Sequence, residues 1–161
     1  MAPVAAWLAK KLKKEAGATS EQLDQLKKLG ARIQLDDQKR VIGVNLGERK
    51  VTDADLVLLH GLDHLQELDL TRTRIIHLKD LTTLKRLFLT ETKVDDPGIG
   101  NLKDMKSLET LGLSGTKIGD QALPHLQGLT GLKSLFCIGT GVSDSGVEKL
   151  QKALPQCRLT H

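Results

Sequence analysis

The chain has 161 residues, long enough for one domain of ordinary size, and 39% of it is hydrophobic while only 2% is aromatic, so a core would be filled mainly by Leu, Val and Ile. No apolar run approaches the ~18 residues of a membrane span, and a soluble chain is expected. The net charge of +4 is concentrated at the start: Lys10, Lys11, Lys13 and Lys14 stand against Glu15, which leaves only +1 beyond residue 16. Nucleic-acid binding requires a basic stripe on the working face, and the bulk of the chain carries none.

Residues 4 to 15 place Val4, Leu8 and Leu12 at i, i+4 and i+8 with lysines between them, which predicts an amphipathic helix ended by Gly17. Two readings are open for it. It could lie on an anionic membrane surface with Trp7 at the interface, or it could cover the open end of the structure that follows. The apolar start precedes its lysines, the reverse of a secretory signal, so no signal peptide is expected and the cytoplasm is favoured. A second helix is predicted from Ser20 to Leu29, entered through Thr19-Ser20-Glu21-Gln22 as a capping box and stopped by Gly30, with Leu23, Leu26 and Leu29 buried. Arg32-Ile33-Gln34-Leu35 then alternates as a strand, Asp36 to Lys39 turns, and Val41 to Leu46 returns as the second arm of a hairpin.

From Val41 onward the chain repeats. The phrase Leu108-Glu109-Thr110-Leu111-Gly112-Leu113-Ser114-Gly115-Thr116 recurs from Leu132, Leu84, Leu65 and, with substitutions, Val41, so the offsets along the chain are 24, 19, 24 and 24 residues. After each strand-like phrase comes an apolar residue and then an acidic one: Val51 and Asp53, Val94 and Asp96, Ile118 and Asp120, Val142 and Asp144. Pro97 follows Asp96 as a first helical residue would, so these aspartates are predicted to be helix N-caps. The segments behind them carry Leu56/Leu59/Leu62, Ile99/Leu102/Met105, Leu123/Leu126/Leu129 and Val147/Leu150/Leu154 as core. The unit from Leu65 to Thr83 is shorter, lacks the Asp, and predicts a reduced or extended outer segment. Leu159 stands in register with Leu135, which predicts a last partial strand.

A period of this size with this spacing of Leu is the signature of a leucine-rich repeat solenoid. The run Leu108 to Asp120, with Leu132 to Asp144, resembles the ribonuclease-inhibitor-like class of leucine-rich repeat proteins in its compact bacterial form, over about residues 41 to 159. The resemblance implies an α/β solenoid with a curved parallel sheet on the concave side and helices on the convex side, a role in protein recognition, and no enzyme activity. Arg49 departs from the pattern, standing where other units have Thr73, Thr92, Thr116 and Thr140. Residues 1–40 are read as a helical and hairpin cap, and residues 41–161 as the solenoid with its C-terminal partial strand.

Alternation along each strand turns the leucines inward and leaves the intervening residues outward. The central outward column then reads Asn45, Asp69, Phe88, Gly112, Phe136, Thr160, flanked by Gly43, Glu67, Arg86, Thr110, Ser134, Arg158 on one side and Gly47, Thr71, Thr90, Ser114, Ile138 on the other. Both phenylalanines of the protein fall outward with a glycine between them. The expected site is an apolar slot floored by Gly112 and walled by Phe88, Phe136 and Ile138, with Glu67, Asp69 and Arg86 orienting a charged partner. A protein or peptide is the expected ligand, and self-association through the same face is a further outcome. No triad forms, because His60, His64, His77 and His125 fall off the outward strand face, and Glu67 and Asp69 on an open sheet lack the enclosed pocket that a carboxylate pair uses. Neither a metal nor a cofactor is expected: one Asp per repeat is too sparse for the six to eight oxygens calcium takes, and Cys137 and Cys157 lack ligand spacing and are read as reduced.

Overall fold

The computed structural model describes residues 18–78 and 81–161, so the amphipathic segment expected at residues 4 to 15 lies outside the described residues. Helix α1 (Ser20–Lys28) starts where its capping box places it. Thr19 Oγ1 accepts from Gln22 N at 3.1 Å, and Gln22 Oε1 accepts from Thr19 N at 3.4 Å. It stops in a Schellman turn at Gly30, whose φ of +81° suits a residue without Cβ, with Ala31 N donating to Leu26 O at 3.0 Å. Arg49 lies against this turn and donates from Nε to Gly30 O at 3.2 Å. The residue that breaks the threonine pattern therefore fastens the helix to the first repeat.

Strands β1 (Arg32–Leu35) and β2 (Val41–Asn45) form the expected antiparallel hairpin. Asp36 closes its turn, accepting from Gln38 N, Arg40 N and Arg40 Nε. The hydrogen bonds and charge of Arg40 hold the Asp36 carboxyl below its ordinary range. Then β3 (Glu67–Asp69), β4 (Arg86–Phe88), β5 (Thr110–Gly112), β6 (Ser134–Phe136) and β7 (Arg158–Thr160) add in parallel, giving one seven-stranded sheet in chain order. The leucines of each phrase form one continuous buried core. Thr73, Thr92 and Thr116 are buried with them and stay satisfied by donating to the carbonyl three residues back, at 2.6 to 2.7 Å.

The outer side is built from short turns of 3-10 and α helix: Asp53–Leu59, Asp96–Leu102 and Asp120–Leu126, and a full helix only at Asp144–Ala153. Residues 74–78 of the short repeat run without helix, as its length predicts. The expected outer core is buried except for Val147, which is half-buried.

One expectation is corrected here. The aspartates at 53, 96, 120 and 144 are not the N-caps. The caps stand one residue earlier, at Thr52, Asp95, Gly119 and Ser143, where Asp95 and Ser143 accept from Gly98 N and Gly146 N at 3.0 Å. Three of the four aspartates instead reach across to the next repeat, while Asp144 pairs with His161 Nε2 at 3.0 Å. Asp53 accepts from Ile76 N at 2.8 Å, Asp96 from Gly119 N at 2.6 Å, and Asp120 from Ser143 N and Oγ at 2.8 and 2.7 Å. The two Ser143 hydrogen bonds hold the Asp120 carboxyl below its usual value. The first residue of a 3-10 or α turn has a free side chain, and here the neighbouring backbone N–H is the nearest donor it can satisfy.

Candidate functional site

The outward columns fall in the predicted register. Asn45, Asp69, Phe88, Gly112, Phe136 and Thr160 are successive strand partners, as are Gly43, Glu67, Arg86, Thr110, Ser134 and Arg158. Their surroundings divide the face into two halves.

In the first half the polar groups are engaged with one another. Arg86 Nε and Nη2 both donate to Glu67 Oε2, at 2.7 and 2.6 Å. Asp69 is half-buried and accepts from Asn45 Nδ2 at 2.8 Å and from Thr71 N at 2.9 Å. Glu67, Asp69 and Arg86 thus share one patch, with each charge already answered by a neighbour.

In the second half the aromatic pair is brought together, with a difference from the expected slot. The ring of Phe88 lies over Gly112: a Cβ on that glycine would come within 3.1 Å of Phe88 Cδ1, and Gly112 is buried although it faces outward. The floor of the slot is therefore covered by one of its own walls. Phe136 and Ile138 remain open, 38% and 54% exposed. They stand beside Ser114, whose Oγ accepts from Ile138 N at 3.2 Å. The exposed surface is an apolar ledge of Phe136 and Ile138, edged by the small side chains of Thr110, Ser114 and Ser134.

Two charged rails border the face. Before the strands, Lys133 Nζ lies 2.6 Å from Glu109 Oε2, and Lys133 with Lys85 and Arg86 holds the Glu109 carboxyl low. After the strands, Glu48, Arg72, Glu91, Gly115 and Gly139 occupy one position of successive repeats, all at φ between 55° and 67°. Arg72 donates to Glu48 Oε1 at 3.1 Å and grips Glu91 with Nε and Nη2 at 2.8 and 3.0 Å. This pairing lowers the Glu91 pKa and raises that of Arg72. The sequence reading missed this rail, although the glycines at 115 and 139 mark a left-handed position whose earlier occupants could have been found by counting back.

His60, His64, His77 and His125 lie on the outer side and in turns, away from these columns; His77 Nδ1 is 3.3 Å from Asp53 Oδ2. Cys137 and Cys157 are free and buried, and burial pushes both thiols up. A second concavity, of about 700 Å³, opens on the outer side at the short repeat, between Leu56 and Val57 on one flank and Pro97 and Asn101 on the other.

No family model matches the sequence, and no curated protein matches it significantly. Among solved structures, an internalin from Listeria monocytogenes superposes with a TM-score of 0.65 at 27% identity, covering 75% of this chain and 34% of the internalin. A chain of the Drosophila melanogaster SNF/U2A′ complex does so with a TM-score of 0.63 at 20% identity, covering 89% of this chain and 82% of that one. A leucine-rich repeat protein of Leptospira interrogans follows at 0.53 and 23% identity, covering 65% of this chain and 27% of that one. The chain therefore spans about a third of the length of the internalin and about a quarter of the Leptospira protein. Repeat phrase, strand register and structural likeness together define an α/β solenoid. The chain has the leucine-rich repeat fold.

Proposed function

We propose that the chain is a non-catalytic recognition module that binds a protein or peptide on the concave face of its sheet. The carrying observation is the exposure of Phe136 and Ile138 on a face where Glu67, Asp69 and Arg86 are already engaged with neighbours. Aromatic side chains are enriched at the centres of protein interfaces, where surrounding near-neutral contacts exclude water from them. Glu67, Asp69 and Arg86 then act as a self-paired patch that fixes the partner's orientation, and Phe88 on Gly112 gives the anchor a rigid neighbour. The likeness to a chain of the SNF/U2A′ complex is in keeping with a protein partner. The outward carboxylates are occupied by hydrogen bonds, which favours recognition over acid–base chemistry. Residues 1–40 serve as the cap and residues 41–161 carry the surface, in the ribonuclease-inhibitor-like style that the Leu108 to Asp120 phrase suggests.

The test is capture of partners by the wild type, by Phe88→Ala/Phe136→Ala, and by Phe136→Ala/Ile138→Ala. Loss of the same captured species in both double variants, with circular dichroism unchanged, supports the concave face; retention in both removes it. The runner-up, a membrane-peripheral protein held by residues 1 to 16, predicts sedimentation with anionic liposomes that disappears on truncating that segment.

A further inference from the structure

On the concave side, the position two residues beyond the central column is held by Gly47, Thr71, Thr90, Ser114 and Ile138 in successive repeats. Backbone hydrogen bonds keep this row side by side: Thr71 O, Thr90 O, Ser114 O and Ile138 O each accept from an amide of the preceding repeat at 2.8 to 2.9 Å. At one side stands the exposed Ile138, and at the other Gly47, which carries no side chain. Between them lie two threonines and a serine, all half-buried.

Gly47 leaves a gap whose walls are oxygen. A Cβ on it would stand 3.4 Å from Asn45 Oδ1, 3.5 Å from Asp69 Oδ2 and 3.5 Å from Thr71 O, the three nearest atoms beyond its chain neighbours. Each of these oxygens already accepts once, from Gly47 N, Asn45 Nδ2 and Glu48 N respectively, and each keeps an acceptor site in reserve. Asp69 adds charge to the gap. Its partners are a carboxamide and the amide of Thr71, and among the described residues it makes no ion pair, whereas Glu67, Glu91 and Glu109 each have a cation. Its hydrogen bonds are met and its charge is not balanced. For a half-buried carboxylate, an added cation is worth more there than in open solvent.

A primary ammonium suits this gap. It is compact, positively charged and carries three rotatable donors for three converging acceptors, whereas a guanidinium is a flat fork matched to a single carboxylate. We propose that the partner bound on the concave face sets a lysine side chain over Gly47, its ammonium donating to Asn45 Oδ1, Asp69 Oδ2 and Thr71 O. The proposal rests on the concave-face reading above and adds a charged anchor to the apolar one at Phe136 and Ile138. From β2 to β6 there are four strand spacings, about 19 Å, so about six residues of extended chain separate the lysine from the apolar side chain on the ledge. The bound segment then crosses the strands over Thr71, Thr90 and Ser114, where no large side chain of the row stands in its way.

The experiment records amide NMR spectra of the isotopically labelled full chain with Nα-acetyl-lysine N-methylamide, and with the same compound acetylated on Nε, which removes the charge. The amine should move the amides of Gly47, Glu48 and Thr71 saturably and leave that of Ile138 in place; the acetylated form should move none of them. Gly47→Ala is the blocking variant. Its φ lies outside the left-handed region and the added methyl meets ordinary contact distances, so it fills the gap without unfolding the chain. It should abolish the response, and Asp69→Asn should weaken it about tenfold. A peptide carrying leucine about six residues from lysine should move the Gly47 and Ile138 amides together and bind about tenfold more tightly than the amine, whereas one with the two residues adjacent should not. An unresponsive Gly47, an equal response to the acetylated form, or a response that survives Gly47→Ala overturns the proposal. Movement at Ile138 with Gly47 silent overturns the lysine seat and leaves the concave-face reading standing; movement at Gly47 with Ile138 silent supports the seat and removes the ledge. Potassium ions that move the same amides and resist displacement by the amine assign the gap to a metal cation and overturn the proposal as well.

Discussion

Thr116 lies in the core, and its hydroxyl donates to Leu113 O at 2.6 Å, a carbonyl that also receives Thr116 N at 3.2 Å. Thr116→Val therefore leaves no acceptor stranded and removes only the net worth of one hydrogen bond. A loss of about 1 kcal/mol is expected in urea unfolding. Gly139 isolates a different effect. At φ 67°, with nothing within 4 Å of where a Cβ would stand, Gly139→Ala meets no clash and incurs only left-handed strain. About 1 kcal/mol of destabilisation is expected, again by urea unfolding. Glu48, Arg72 and Glu91 bear that same strain in the first three repeats while linked through Arg72. Phase information of this kind, a fixed offset after each strand, was in the sequence. The ion ladder was not, because the register sets Glu48, Arg72 and Glu91 in line while the grip of Arg72 on both carboxylates depends on side-chain rotamers.

Between elements, the aspartate column and the close-packed glycines do the joining. Gly98 sits so near the preceding repeat that a Cβ would come within 2.6 Å of Ile76 O, a backbone atom that cannot move aside alone. Gly98→Ala is expected to destabilise by about 1–3 kcal/mol, measured by thermal or urea unfolding. The carboxylates of Asp36, Glu91, Glu109 and Asp120 are all held below their ordinary values by their hydrogen-bonding partners. A carboxyl whose folded pKa lies below its unfolded one contributes fully above the unfolded value, near 4, and loses that contribution as pH falls through the folded value. Urea midpoints should therefore be flat from pH 7 to about pH 5 and fall below about pH 4, with a shallower fall in Asp120→Asn. The sequence located this aspartate column and misassigned its job. Asp-Pro after an apolar residue suits a cap and a first helical position equally, and the deciding contact is with a backbone amide some 23 residues on.

At the scale of the molecule the sheet was the legible part. Alternating leucines allow one register only, since a slip of one residue would expose every one of them, and each strand partner follows. The site was legible as a column and not as a surface: spacing set Phe88, Gly112 and Phe136 in line, while the lean of Phe88 onto Gly112 is a matter of rotamer and contact. Because Phe136 lies outside the buried core but on a strand and only 38% exposed, Phe136→Asp should cost about 1 kcal/mol in urea unfolding. Partner capture should nonetheless be lost, and any self-association seen by light scattering should give way to monomer. The 19-residue repeat has one more consequence. Its strand takes its place between β2 and β4 with the same pairing as the 24-residue units, so five missing residues cost the sheet nothing. The sheet keeps time in strands, whereas the outer layer alone registers how many residues pass between them. Lengthening, shortening or grafting can then be confined to the stretch after residue 73, where this unit already runs five residues shorter than its neighbours, without disturbing the order of a single strand.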